Sequence, residues 1–229
     1  MINRKILLDV ETTGFNYGKG DKIVELACVE IFDDKDMKGE FHVYINPQRN
    51  IPDEVIKIHG ISNEQVKDAP IFEAISEDFL KFVDDCEIIA HNSTFDMNFI
   101  NAELKNISKD IINPNKFIDT LKLAQAKFPN QRNRLDDLCK RFDIDLETRK
   151  NYHGALIDTR LLGEVYIKLV GGQKSIFDNA FSSTESLAST KIASYDNSNF
   201  EYRSFVLSES EKENHIKFIE KINKSMWYK

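Results

Sequence analysis

The chain has 229 residues, 41% of them apolar and 30% charged, enough for one substantial domain and an appendage. A net charge of −7 argues against a protein that grips long nucleic acid by phosphate neutralisation alone, though not against one that holds a chain end through bound cations. No apolar run is long enough to span a membrane, Met1-Ile2-Asn3-Arg4-Lys5 lacks a signal-peptide core, and Cys28, Cys86 and Cys139 are too scattered for a disulfide framework, so a soluble cytosolic protein is expected.

In chain order, strands are predicted at Lys5–Glu11, Ile23–Phe32 and Glu40–Asn46, joined by short polar connections at Gly18–Asp21 and Asp33–Gly39. That spacing predicts an antiparallel meander. Helical apolar periodicity then dominates at 53–58, 71–84, 94–105, 120–128, 134–142 and 154–169. Further strands at Glu87–Asn92 and Lys116–Asp119 return between helices, which predicts parallel additions to a mixed α/β sheet flanked by helices. After Gly171-Gly172 the composition turns to Ser, Thr, Asn and Ala and reads as a flexible linker. Order is expected again from Phe200: a short strand at Tyr202–Leu207, then a helix opened by the capping box Ser208-x-x-Glu211 and running to about Asn223. Its narrow stripe of Ile216, Ile219, Ile222 and Met226, widened by Phe218, is too small to fold alone: it either folds back on the main domain or docks on another protein, and the linker's length favours docking. The expected domains are thus 1–172, a linker over 173–199 and a tail element over 200–229.

The first strand carries the chemistry. Ile6-Leu7-Leu8-Asp9-Val10-Glu11 reads as a core strand, yet two acids interrupt it, and period-two alternation points both to one face. Like charges that close raise one another's pKa unless a cation holds both ionised, and hard divalent cations take such oxygen ligands. Asp96 falls in the first turn of the helix after His91-Asn92-Ser93-Thr94-Phe95, and Asp158 in the helix opened by His153-Gly154. Asp96 has a competing reading as the end of a capping box with Ser93. Asp158 has one as an acid placed to suit a helix dipole.

Together, Asp9-x-Glu11-Thr12-Thr13-Gly14, Asn92-x-x-Phe95-Asp96 and His153-x-Ala155-x-x-Asp158 resemble the DEDD exonuclease superfamily in its histidine-containing branch. Phe41–Pro47, Ile58-His59-Gly60-Ile61, Arg132–Asp136 and Leu161–Gln173 are similar to the proofreading epsilon subunits of bacterial DNA polymerase III. The resemblance implies a ribonuclease H-like fold with a central five-stranded sheet and 3′→5′ exonuclease activity. It implies two divalent cations, Mg²⁺ or Mn²⁺, on Asp9, Glu11, Asp96 and Asp158, with His153 as general base. Its imidazole, with an ordinary pKa of about 6.5, suits that role. Such a cation pair activates a water and stabilises the leaving 3′ oxygen of a phosphodiester.

The same resemblance implies that the terminal nucleotide is held by Asp9, Glu11, Asp158, the Thr12-Thr13 turn, Glu54 and His59, and Asn92 and Phe95 are expected to line the same cleft. For Glu54 the competing reading is an ordinary acidic helix start after Pro52, and for His59 a helix C-terminal cation. His42 and His91 read as packing residues, and Asp119, Asp136 and Asp137 as helix-start acids. Gln173-Lys174-Ser175-Ile176-Phe177 is similar to a peptide that docks on the sliding clamp, with Gln173, Ile176 and Phe177 as contacts. The implied partners are a DNA 3′ end, that clamp, the polymerase catalytic (alpha) subunit through residues 200–229, with Phe205, Val206, Ile219 and Trp227 as anchors, and a small accessory subunit. The implied setting is a bacterial replisome at the nucleoid. Two rival expectations are an RNA-trimming relative of the same branch and a catalytically inactive scaffold joining polymerase and clamp.

Overall fold

The computed structural model describes residues 3–147, 154–171 and 208–221, without the side chains of 215–216 and 218–221. The chain divides into two compact units, Met1–Asn179 and Ala180–Lys229.

In the first unit five strands form one sheet in the order β3-β2-β1-β4-β5. They are β1 (Arg4–Thr12), β2 (Ile23–Phe32), β3 (Asp36–Tyr44), β4 (Glu87–Ala90) and β5 (Phe117–Asp119). The expected meander is present: β1 pairs antiparallel with β2, and β2 with β3. The strands after the helices add in parallel, β4 to β1 and β5 to β4. The predicted connection at Asp33–Gly39 is shorter than expected, because β3 begins at Asp36. The physical reason is a tight reversal in which Asp33 and Asp34 take φ of 50° and 55°, and the Lys35 N–H donates to Phe32 O. Asp enters the left-handed region more readily than most residues, so the pair turns the chain without glycine.

Among the described residues the α-helices of this unit are α1 (Asp53–His59), α2 (Asn63–Val66), α3 (Phe72–Val83), α4 (Thr94–Asn106), α5 (Thr120–Lys127), α6 (Leu135–Arg141) and α7 (Ala155–Val170). Six match predicted helices to within two residues at either end. The one-turn α2 was not predicted; its Ser62/Gln65 capping box forms.

The faces of β1 divide the core. Ile6, Leu8 and Val10 pack with Phe72, Phe79 and Val83 of α3 and Phe99, Ile100 and Leu104 of α4. Leu7, on the opposite face, packs with Leu135 and Leu138 of α6 and Leu161, Leu162 and Val165 of α7. Burying each such side chain contributes roughly 1.5–3 kcal/mol. Asp9 and Glu11 share the parity of Leu7 and therefore face α7. Gly163 brings that helix close: a Cβ there would lie 2.8 Å from Leu7 Cδ1 and would also strike Met37.

In the second unit, α8 (Glu209–Lys221) begins as predicted. The Ser208 N–H donates to Glu211 Oε2 at 2.9 Å, and the Glu211 N–H donates to Ser208 Oγ at 3.4 Å. The predicted linker, the strand at Tyr202–Leu207, Gln173, Ile176 and Phe177, and the side chains of the apolar stripe lie outside the described residues. Among the described residues no helix is long and apolar enough to cross a membrane.

Candidate active site

The site lies where β1 ends against α7. Asp9 and Glu11 from β1 and Asp158 from α7 each present a carboxylate oxygen, all within 4.8 Å of one another. A fourth acid lies outside that 4.8 Å group but near enough to act on it. Asp96, on α4, is 2% exposed, and of the neighbouring acids it acts most strongly on Asp9. Strand alternation supplies the first two oxygens, and two helix N-termini supply the others, so three elements converge.

Their electrostatics follow from that crowding. Desolvation, then the charges of Asp96, Glu11 and Asp158, push Asp9 well above the usual carboxylate range. Burial pushes Asp96 up to about 8, although its own N–H and that of Val10 donate to it and pull the other way. Its capping-box reading fails here: Ser93 has helical φ and ψ and makes no side-chain cap bond. A carboxyl buried beside other carboxyls is costly when ionised, and a divalent cation removes the cost. Three oxygens of hard, anionic type within one ion's reach fit Mg²⁺ or Mn²⁺ chemistry.

The residues around the acids are arranged mainly by the backbone. Thr12 Oγ1 donates to Gly14 O at 2.6 Å. Thr13 is 1% exposed; its N–H donates to Lys22 O, and its hydroxyl accepts from the Lys22 N–H at 3.0 Å. Those groups of Thr13 thus shape the β1–β2 loop, whose Gly14 leaves room for the Asp21 carboxylate. His59 is buried at the end of α1, and its Nδ1 accepts the Ile61 N–H at 3.0 Å. An accepting Nδ1 carries no proton, which removes the helix-dipole cation reading for this residue. Asn92 takes φ of 64° and donates its N–H to Asp119 Oδ1, which also caps α5 at Leu121. Phe95 packs against Phe99 with the rings tilted and their centres 4.8 Å apart, and Phe99 meets Tyr17 of the β1–β2 loop edge-on at 5.9 Å. Glu54 is exposed in the first turn of α1, beside Asp53. His153 lies outside the described residues.

Sequence reasoning passed over Glu25. It is 3% exposed, stands opposite Glu11 in the β1–β2 register, and accepts the Ala155 N–H at the start of α7. Its signal was the one that exposed Asp9: a lone acid within the apolar run Ile23-Val24-Glu25-Leu26. His42, expected to be a packing residue, is its partner, with Nε2 2.7 Å from Glu25 Oε1.

A five-stranded mixed sheet of this order, with acids gathered at the end of its central strand, defines a DEDD-type exonuclease fold. The family model described as exonuclease, of the RNase T type, matches residues 6–166. The DNA polymerase III subunit epsilon of Rickettsia felis is 39% identical over 229 residues, covering 97% of this chain and 98% of its own. That of Rickettsia prowazekii is 47% identical over 180 residues, with 76% and 77% covered. Among solved structures, exonuclease X in complex with 5′-overhanging duplex DNA superposes with a TM-score of 0.57 at 25% identity, covering 75% of this chain and 93% of that one. The chain belongs to this exonuclease family and, within it, to the epsilon subunits of DNA polymerase III.

Proposed function

We propose that this chain is a metal-dependent 3′→5′ exodeoxyribonuclease that removes mispaired 3′-terminal nucleotides as the proofreading subunit of a replicative polymerase. The observation that carries the reading is the approach of Asp9, Glu11 and Asp158 to within one cation's reach, with Asp96 acting on the same centre. These four hold the divalent cations, Mg²⁺ or Mn²⁺. Bound there, a cation pair supplies the acidity that activates a water and the charge that stabilises the departing 3′ oxygen. The protein contributes the placement. The β1 acids sit on a strand held by β2 along their length, and Asp158 sits on a helix packed tightly against it through Gly163. His153, two residues before Ala155, takes the proton from the attacking water.

The β1–β2 loop with Thr12 and Thr13 receives the terminal nucleotide. His59, Asn92 and Phe95 border its pocket, with Glu54 at the sugar. A frayed, mispaired end reaches this cleft more easily because less unpairing energy is needed. Residues 1–172 form the nuclease domain. Residues 200–229, which include α8, dock on the polymerase alpha subunit and so keep the nuclease concentrated near the primer end. Gln173, Ile176 and Phe177 contact the sliding clamp, a small accessory subunit binds the nuclease domain, and the assembly works in the bacterial cytoplasm at the nucleoid.

A 3′-mismatch excision assay tests the reading. The wild type releases nucleotides from a mispaired end or single-stranded DNA faster than from a matched duplex, and only with Mg²⁺ or Mn²⁺. Chelator stops it, and His153→Ala slows it at least about a hundredfold. Equal rates on matched and mispaired ends, attack from the 5′ end, or preference for RNA overturns the proposal. An inert wild type that still joins polymerase to clamp leaves the scaffold in its place.

A further inference from the structure

Glu25 is an acid where the sheet tolerates few: the middle of an apolar strand, 3% exposed, level with Glu11 on the neighbouring strand. Its two oxygens are divided between two elements. Oε2 accepts the buried Ala155 N–H at 2.9 Å, and Oε1 lies 2.7 Å from His42 Nε2 on the edge strand β3.

Ala155 is the first residue of α7, and Gly154 has no side chain to cap it. The first N–H groups of a helix have no partner within it, and an anion there also suits the helix dipole. Glu25 therefore caps α7 from across the sheet. The Asp158 N–H donates to Gly154 O at 2.9 Å in the same turn, so the capped residue and the site acid share one ring of backbone. A second tie, Arg160 Nη2 to Glu40 Oε2 at 2.7 Å, joins the next turn to β3. It is largely exposed on both sides, and exposed pairs hold weakly. The buried contact is the one able to set the helix register.

We propose that Glu25, braced by His42, is a positioning residue that locks the first turn of α7 to the sheet and thereby sets where Asp158 meets Asp9 and Glu11. The proposal deepens the metal-dependent nuclease reading and rests on it. Glu25 acts chiefly through reach and hydrogen bonding, its charge being the weakest of the four acidic charges that bear on Asp9, and it touches neither cation nor substrate. Gln keeps that reach, accepts the Ala155 N–H, and can donate to His42 Nε2 in its other tautomer. Asp keeps the charge but is shorter by one carbon–carbon bond, about 1.5 Å, and cannot span both partners.

The test compares Glu25→Asp and Glu25→Gln in the full chain. Mn²⁺ affinity is measured by calorimetry without DNA, kcat and KM on a single-stranded oligonucleotide, and the fold by circular dichroism and melting. Glu25→Asp is expected to weaken Mn²⁺ binding and lower kcat by about tenfold or more, with KM for the oligonucleotide within about twofold. Glu25→Gln is expected to stay within about threefold of wild type in all three. The reverse ranking overturns the proposal, since charge rather than reach would then matter. Two wild-type variants also overturn it, as do two equally crippled or unfolded ones, which would make Glu25 merely structural. A wild type that neither binds Mn²⁺ nor releases nucleotides overturns this inference together with the nuclease reading. An active wild type beside an unimpaired Glu25→Asp overturns this inference alone.

Discussion

The two ends of β1 carry charge in opposite ways. At its start, Arg4 Nε lies 2.7 Å from Glu30, and Lys5 Nζ lies 3.0 Å from Asp34 and 3.1 Å from the Tyr166 hydroxyl. Burial by itself lowers an ammonium, yet the hydrogen bonds with Tyr166 and Asp34 outweigh it and hold Lys5 above its ordinary value. At its end, Asp9 and Glu11 meet Asp158 and Asp96, and like charge raises Asp9 further after desolvation has begun the shift. One end satisfies its charges within the chain and is a structural anchor. The other concentrates charge of one sign, which helps the fold only when a cation arrives. Within a single nine-residue strand, the sign of the neighbours separates stability from function.

The largest expected effect breaks the second end. Asp9→Asn should lower single-turnover excision of a single-stranded oligonucleotide by at least about a thousandfold. The same change removes a charge from the acidic cluster, so in chelator the variant should melt above the wild type, with the gain gone in Mn²⁺. A variant that loses activity and also melts lower in chelator contradicts the contrast.

Proton linkage gives the next effect. Asp96 has a folded pKa of about 8 against an ordinary 3.8, so the folded chain binds more protons between those values. Stability in chelator is therefore fullest below about pH 4 for this group and is lost as pH rises through about 8. Asp9, raised well above 3.8, adds in the same direction. Melting temperatures recorded across that window should fall with pH in chelator and flatten in Mn²⁺, whose binding replaces the protons. A rise in chelator would contradict it.

Gly163→Ala tests the packing that brings the acids together. The added methyl meets Leu7 and Met37. We expect a loss of about 1–3 kcal/mol, read from urea unfolding, with weaker Mn²⁺ binding because α7 carries Asp158. The smallest effect belongs to the anchored end. Lys5→Ala should cost about 1–2 kcal/mol while excision by the folded protein stays at the wild-type rate.

The site was largely legible because its signals are local. Two acids in one apolar strand, and acids near the starts of two helices, need only strand and helix periodicity to be placed. Glu25 carried the same signal, yet its role depends on partners 17 and 130 residues away, His42 and Ala155. The β3 start was missed because Asp33-Asp34 turns the chain through left-handed backbone rather than through the later glycine at Gly39. The Ser93–Asp96 spacing allowed a capping box, and only the packing of α4 against β1 turned Asp96 to Val10 and Asp9.

By itself the sequence determined which residue types could bind a divalent cation, the elements that carry them, and the two faces of β1, since periodicity and composition act over a few residues. The tertiary structure alone decided the strand order, the inward turn of Asp96, the fit of α7 against β1 over Gly163, and the cap that Glu25 supplies to α7. Those depend on contacts between segments far apart in the chain, where close packing and the need to satisfy buried polar groups select one arrangement from many that local preference permits.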